Sequence, residues 1–356
     1  MIQNQETKGI LDGCYPQIDL NKVEDKRAVA ICSGGLDSTS AMCRLIDEGF
    51  DVTLMYFLYG SKAESAERYA CKHIAQFLKI KLELAGIHYL GQLGGSPLTD
   101  PSIPVPETGR ETDVTMEAYV VNRNSIFVML AAAYAERHGI PIIVMGQEAG
   151  EQNYGDHMAP FIGWSNNLLR YSCLRPPLLI APNFFWQKRD EVRYLNAQHP
   201  ALLSMTWSCD RSEMRNGEYI ACGQCGCDFS RRRALAMEGI YDPQSYLADI
   251  DLHLDENLEM EEEQALAPGA FCEMCGLYTP WPESRPDSGR VDKVCGTCRR
   301  MKEIRPLLGN YKQLVEVEKR LSRARAKVGV HLPAHPLTRE QYPYTGATGM
   351  GILISK

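Results

Sequence analysis

Residues 28–40, Ala-Val-Ala-Ile-Cys-Ser-Gly-Gly-Leu-Asp-Ser-Thr-Ser, constrain the fold more than any other stretch of this chain. Val29 to Cys32 is a short apolar run with β-branched residues, which predicts a buried strand. Ser33-Gly34-Gly35-Leu36-Asp37-Ser38 follows without a gap. Thr39 to Glu48 then carries Ala41, Met42, Leu45 and Ile46 at helical spacing and stops at Gly49. A strand, a glycine turn and a helix N-terminus gather several backbone N–H groups around one point. Unpaired amides and the helix dipole both favour an anion of phosphate size there. Gly34 and Gly35 let the backbone approach that anion, and Ser33 and Ser38 add hydroxyl donors. An ordinary strand-to-helix turn is the plain alternative. The loop lacks the lysine of a Walker motif, which argues against a kinase or a molecular motor.

The same alternation continues. Strands are predicted at Val52–Phe57, 82–87 and Pro141–Gly146, with a further buried segment at 177–181. Helices are predicted from Ser61-Lys62 to Lys79 (face Ala66, Ala70, Ile74, Phe77, Leu78), from Arg123-Asn124 to His138 (face Ile126, Phe127, Leu130, Ala131, Tyr134), and over Gln187–Gln198. This pattern predicts an α/β fold, a doubly wound parallel sheet with ligands at the carboxyl ends of its strands. Gly91–Glu117 is too long for a simple connection and is a candidate lid. Gly150–Trp164 follows a strand end and should face the ligand.

Four regions are expected: an arm over 1–26, the α/β domain over 27–248, an acidic linker over 249–269, and a small module over 270–356. The linker rests on eight acids between Asp249 and Glu263, although a solvated acidic helix fits them as well. Residues 299–327 hold ten basic and three acidic residues, either a surface for a phosphate backbone or a solvated helix packed by Leu314, Val317 and Leu321. The net charge of −7 argues against a dedicated nucleic-acid binder without excluding such a patch. No apolar run reaches membrane-spanning length, and Met-Ile-Gln-Asn-Gln-Glu lacks the features of a signal peptide, so a cytoplasmic protein is expected.

In a reducing compartment, thirteen cysteines read as metal ligands rather than disulfides. Cys209 with Cys222-Gly-Gln-Cys225-Gly-Cys227-Asp228 suits one tetrahedral, structural zinc. Cys272-x2-Cys275 and Cys295-x2-Cys298 suit a second, in a zinc-ribbon-like module that would need the metal to fold. An iron–sulfur cluster is the lesser alternative for either.

The Ser33–Ser38 motif resembles the pyrophosphatase loop of ATP-dependent adenylating enzymes. Set beside the first cysteine cluster, the span from about 28 to 246 resembles the QueC-type 7-cyano-7-deazaguanine synthases. The matching pieces are Ser33–Ser38, Tyr59-Gly60, Ser96-Pro-Leu-Thr99, Arg123-Asn124, Tyr154-Gly155-Asp156 with Phe161, and Lys188. Thr206-x-Ser-Cys209, Cys222-Gly-x-Cys225, Arg231, Arg233 and Gly239-Ile-x-Asp-Pro243 complete the set. There are departures: Ser61 stands for a usual Gln, and His157-Met158 for a usual Cys-Arg. The family's last zinc cysteine aligns with Asp228, with Cys227 one position early. Either Cys227 is the fourth ligand, with the turn absorbing the offset, or Asp228 is; the better thiolate ligand favours Cys227.

The resemblance implies ATP, Mg²⁺ and 7-carboxy-7-deazaguanine, and zinc at the first cysteine cluster; the second of the two expected zinc sites rests on its spacing alone. The carboxylate would attack the α-phosphorus, and an amine would then displace AMP to give an amide, which a second activation dehydrates to the nitrile. On this reading Ser33, Gly34, Gly35, Leu36, Asp37 and Ser38 hold the pyrophosphate, and Asp37 orients the loop or the metal. Arg123 and Asn124 meet nucleotide or carboxylate, Lys188 meets phosphate, and Tyr154, Asp156 and Phe161 meet the deazaguanine. The extra C-terminal module suggests a protein amine as acceptor in place of ammonia, as in QueC-like components of anti-phage systems. A homodimer is left open. Two other classes stand beside this: a tRNA-modifying enzyme with the same loop, using Cys32 or Cys173, and a non-catalytic nucleotide-binding scaffold. Stimulation by tRNA would favour the first, and absence of AMP formation the second.

Overall fold

The computed structural model describes residues 20–107, 118–147, 155–157, 159–184, 186–250, 252, 269–271 and 278–280. They fall into two units. One runs Leu20–Met158 and Pro177–Glu256, so Ala159–Pro176 interrupts the stretch expected as one domain over 27–248.

This unit is built on five parallel strands: β1 (Arg27–Ile31), β2 (Asp51–Leu58), β3 (Lys81–Gly86), β4 (Ile142–Met145) and β5 (Leu178–Ile180). Their order is β3-β2-β1-β4-β5. The chain moves outward from β1 to β2 and β3, then returns to the other side of β1 for β4 and β5. That reversal opens a crevice at the carboxyl ends of β1 and β4, where such sheets bind ligands. The register is level there: Ile31 pairs with Met55 on β2 and with Met145 on β4. Central parallel strands are covered on both faces and so read as unbroken apolar runs. Ile142-Ile-Val-Met145 is buried at every position, as the sequence predicts.

The helices of this unit are α1 (Leu36–Asp47), α2 (Glu64–Leu78), α3 (Tyr89–Gln92) and α4 (Arg123–His138). The other unit includes α5 (Ala159–Ser172). After β5 the first unit continues with α6 (Lys188–Gln198), α7 (Pro200–Met205), an antiparallel hairpin of β6 (Ser212–Arg215) and β7 (Glu218–Ala221), and α8 (Gly226–Met237). Beyond α5, the other unit includes a short hairpin of β8 (Gly269–Phe271) and β9 (Tyr278–Pro280).

Three expectations need correction. Helix α1 begins at Leu36 rather than Thr39, so Leu-Asp-Ser of the motif forms its first turn. The open N–H groups of that turn therefore belong to the motif itself. In α2 the buried face is Ala66, Ala70, Cys71, Ile74 and Ala75, and Phe77 is exposed. Small residues are needed there because the 33–35 loop lies on them: a Cβ on Gly34 would stand 3.0 Å from Ala70 Cβ. In α4 the face turns to Asn124, Val128, Ala131, Ala132 and Ala135, with Leu130 exposed. The candidate lid is in part packed structure, since Ser96, Leu98, Thr99 and Val105 are buried and Lys62 N–H donates to Leu98 O at 2.8 Å. Residues 108–117 of it lie outside the described residues, as do the Cys272, Cys275, Cys295 and Cys298 set, most of the acidic linker and the basic 299–327 segment.

Candidate functional site

The 33–38 loop leaves β1 and bends sharply at Gly34, whose φ of +81° suits glycine. Gly35 caps α1 in an extended conformation without a side-chain cap. The amides of Ser33, Gly34 and Gly35 bond to side chains of the loop and of Cys32 just before it. Ser33 N–H donates to Ser38 Oγ at 3.3 Å, Gly34 N–H to Cys32 Sγ at 3.4 Å, and Gly35 N–H to Ser33 Oγ at 3.3 Å. An oxyanion offers shorter, charge-assisted bonds to the same donors. Gly146, just past β4, comes against the start of α1. A Cβ there would lie 2.4 Å from Ser38 N and 2.5 Å from Asp37 C, so only glycine fits.

A cavity of about 210 Å³ opens at this point, at the carboxyl ends of β1, β2 and β4. Ser33, Asp37 and Ser38 form one side, and Arg123 and Asn124 from the first turn of α4 form another. Tyr59, Phe57 and Phe127 make an aromatic wall, with Phe57 stacked on Phe127 at 4.3 Å and Tyr59 edge-on to it at 5.4 Å. Arg123 Nη1 donates to Tyr59 OH at 3.5 Å. Lys188, the first residue of α6, reaches the loop, with Nζ 2.5 Å from Asp37 Oδ1. Cys32 lies on the floor, where hydrogen bonding with Cys71 outweighs burial and brings its thiol down to about 7.

The structure thus brings together Ser33, Asp37, Ser38, Arg123, Asn124 and Lys188. Asp156 stands in a 3-10 turn, Gly155–His157, and its carbonyl accepts from the Gln147 side chain. Tyr154 lies outside the described residues, and Phe161 stands in the first turn of α5, in the other unit.

Sequence reasoning did not single out Glu67 and Gln147, which also line the cavity, as does His157 from the 150–164 stretch expected to face the ligand. Glu67 was legible in principle. Ala63, Glu67, Ala70 and Ile74 follow helical spacing, so an acid stood on the apolar stripe. Tyr56 OH donates to Glu67 Oε2 at 2.8 Å. Burial pushes the Glu67 carboxyl up to about 7, against that hydrogen bond and the charge of Arg123.

A second centre lies behind the loop. Cys209, Cys222, Cys225 and Asp228 are all buried, and their ligand atoms lie within 4.8 Å of one another. Cys227, expected as the fourth ligand, is exposed. The reason is helical phase. Cys225 caps α8, and Asp228 falls three residues on, one turn along the same face, whereas Cys227 points elsewhere. Gly223 makes the tight knuckle, with φ +80° and no room for a Cβ beside Ala248 O. Cys222 N–H and Arg211 N–H both donate to Cys209 Sγ, at 3.2 and 3.3 Å. Gly223 N–H donates to Asp228 Oδ2 at 2.8 Å, while the buried Asp228 Oδ1 has no hydrogen-bond partner. Three thiols, two of them accepting N–H···S bonds, and an orphaned carboxylate oxygen fit a divalent zinc. Buried Arg231 ties this centre down through Thr206 Oγ1 at 2.7 Å and Asp242 at 3.2 Å. Trp207 N–H in turn donates to Gly34 O at 2.8 Å, which joins the centre to the loop.

No helix among the described residues is long and apolar enough to cross a membrane. The family model described as "Queuosine biosynthesis protein QueC" matches residues 27–239. A 7-cyano-7-deazaguanine synthase of Methanothrix thermoacetophila is 37% identical over 228 residues, 62% of this chain and 98% of its own length. One from Caldicellulosiruptor bescii is 34% identical over 227 residues, 63% of this chain and 99% of its own. Among solved structures, an NMN synthetase of Francisella tularensis aligns over 68% of this chain and 88% of its own, at 13% identity and a TM-score of 0.34, too distant to argue from. Over the cavity, the loop and the cysteine centre, this chain belongs to the QueC family.

Proposed function

We propose that this chain activates 7-carboxy-7-deazaguanine with ATP and converts it to an amide and then to the nitrile, 7-cyano-7-deazaguanine. The observation that carries the reading is the cavity itself. It sets the Ser33–Ser38 loop, the Arg123 cation and an aromatic wall around one space at the strand reversal of the sheet. A purine-like ring suits the wall formed by Tyr59 and Phe127. Arg123 presents a planar fork to a carboxylate or phosphate. The 33–38 amides and Lys188 take the charge that develops on the leaving pyrophosphate. Mg²⁺ would be held by Asp37, whose second oxygen makes no hydrogen bond among the described residues; it would neutralise phosphate charge. Zinc would be held by Cys209, Cys222, Cys225 and Asp228, as a structural ion.

Residues 240–356, beyond the family match, favour a second reading of the acceptor, a protein amine in place of ammonia. One reaction tests both. ATP, Mg²⁺, ammonium and 7-carboxy-7-deazaguanine are combined, and small molecules and co-expressed proteins are read by mass spectrometry. Nitrile with AMP supports the synthase reading. AMP with a deazaguanine-sized amide adduct on a protein supports the ligase reading and the defence role that the resemblance suggests. Absence of AMP contradicts both.

A further inference from the structure

Glu67 is the cavity carboxylate for which the activation chemistry has no use. Asp37, the other carboxylate lining it, is engaged by Lys188 at 2.5 Å. Glu67 Oε2 accepts from Tyr56 OH at 2.8 Å, and its second oxygen, Oε1, makes no hydrogen bond among the described residues. The anion-binding groups of the cavity are the loop and Arg123. Glu67 is therefore the group suited to a cation or an N–H donor, beside a space that must admit an amine. Amines are protonated near neutral pH, with pKa values of roughly 8 to 10, and a protonated amine has no lone pair with which to attack.

We propose that Glu67 is the catalytic base for the amine nucleophile, binding its ammonium group through Oε1 and removing a proton. The inference rests on the activation reaction above. The step balances. R–NH₃⁺ gives one proton to the Glu67 carboxylate and becomes R–NH₂. Its lone pair forms the C–N bond at the acyl carbon of the adenylate, the C–O bond to AMP breaks, and AMP leaves with that electron pair. The second nitrogen proton departs to water, and Glu67 returns its own proton to water before the next cycle. Ammonia and a protein amine share this chemistry. The groups that face Glu67 are Tyr56 from β2, Tyr59 just after it, Arg123 from α4, Asp210 next to Cys209, and Glu64 and Cys71 on its own helix. Burial, Asp210 and Glu64 raise its affinity for a proton, whereas Tyr56 and Arg123 lower it. The balance, a carboxyl titrating at about 7, leaves it able both to accept and to release a proton at neutral pH.

The test separates the two half-reactions in the full chain with Glu67→Gln. Pyrophosphate exchange into ATP, dependent on 7-carboxy-7-deazaguanine, is expected to fall no more than about threefold, while amide formation from ammonium at pH 7 falls about 100-fold. Hydroxylamine, which is unprotonated at that pH and needs no base, is expected to give hydroxamate with the variant at close to the wild-type rate. The wild-type enzyme supplies a second measurement that does not depend on the variant's folding. Its rate with ammonium should rise through pH 7 and level off above 8, while its rate with hydroxylamine stays flat. Equal loss of exchange and amide formation in a folded variant would overturn the proposal and make Glu67 a nucleotide or metal ligand. So would an unchanged ammonium rate in the variant, or a wild-type rate that simply follows free ammonia with no plateau. Wild-type protein without exchange would overturn the activation reading itself, and the base with it. Repeating the assay with a purified protein amine in place of ammonium tells which source of the amine the site serves.

Discussion

The 33–38 loop and the 209–228 knuckle are two ways of building a site. The loop is a backbone device. Its amides, its Gly34 turn and the start of α1 follow one another within a few residues, and side chains matter chiefly by being absent, at Gly34 and Gly146. The knuckle is a side-chain device. Its four groups converge from two loops and a helix, and the choice between Cys227 and Asp228 is made by the phase of α8. A contiguous backbone motif is read whole, whereas a ligand set assembled across the fold is read in part: its three cysteines stand out by type and spacing, and its fourth group is settled by packing. Trp207 N–H donates to Gly34 O, so the cysteine cluster holds the segment that leads to the loop.

The largest effect expected from breaking this arrangement is that of zinc removal. Chelation, or Cys222→Ser, should release the knuckle, lower stability by several kcal/mol and abolish exchange, because structural zinc energy is folding energy. A chelated protein that kept its exchange rate would show that loop and knuckle are independent. Gly146→Ala comes next. It drives a methyl group into the backbone of Asp37 and Ser38. We expect about 1–3 kcal/mol of lost stability and about 100-fold loss of exchange, since small misplacements at a reacting centre cost that much.

The knuckle is sharpened by a pair of variants. Asp228→Ala should lower zinc affinity at least about tenfold, and Cys227→Ser should leave zinc content at wild-type stoichiometry, both read by metal analysis of the purified chain. The loop is sharpened by Lys188→Met, which should slow exchange by about tenfold while shifting stability by less than about 1 kcal/mol, because the pair with Asp37 is partly solvated.

Legibility divided along the same line. The strand–loop–helix and the parallel sheet could be read from apolar periodicity, and the arrival of Arg123 and Lys188 at the loop was what the family resemblance implied. Helix faces were less secure: Phe77 fits the apolar spacing yet faces solvent, because α2 packs with its small residues under Gly34, and Leu130 on α4 is exposed as well. Asp228 stood in the sequence only as the alternative to Cys227, and Glu67 not at all, for another reason. Each is an acid in the first two turns of a helix, a place where acids are common for electrostatic reasons alone. Only tertiary packing buries Asp228 and half-buries Glu67.

The smallest effect concerns that burial. The folded carboxyl of Glu67 titrates at about 7, above its ordinary value of 4.5. A raised carboxyl pKa means that stability is fully present below pH 4.5 and is lost as pH rises through 7. Glu67→Gln should therefore be the more stable protein at pH 8 and not at pH 5, by about 1 kcal/mol, as thermal melts at the two pH values would show. Equal melting differences at both pH values would contradict a buried, functional carboxylate.

Pyrophosphate exchange into ATP is the measurement closest to the central claim, that the cavity at the β1/β4 reversal activates a deazaguanine carboxylate. Labelled pyrophosphate should enter ATP only when 7-carboxy-7-deazaguanine and Mg²⁺ are both present, and Asp37→Asn should abolish it. Exchange without the deazaguanine, exchange that requires tRNA instead, or no exchange under any of these conditions would contradict the account.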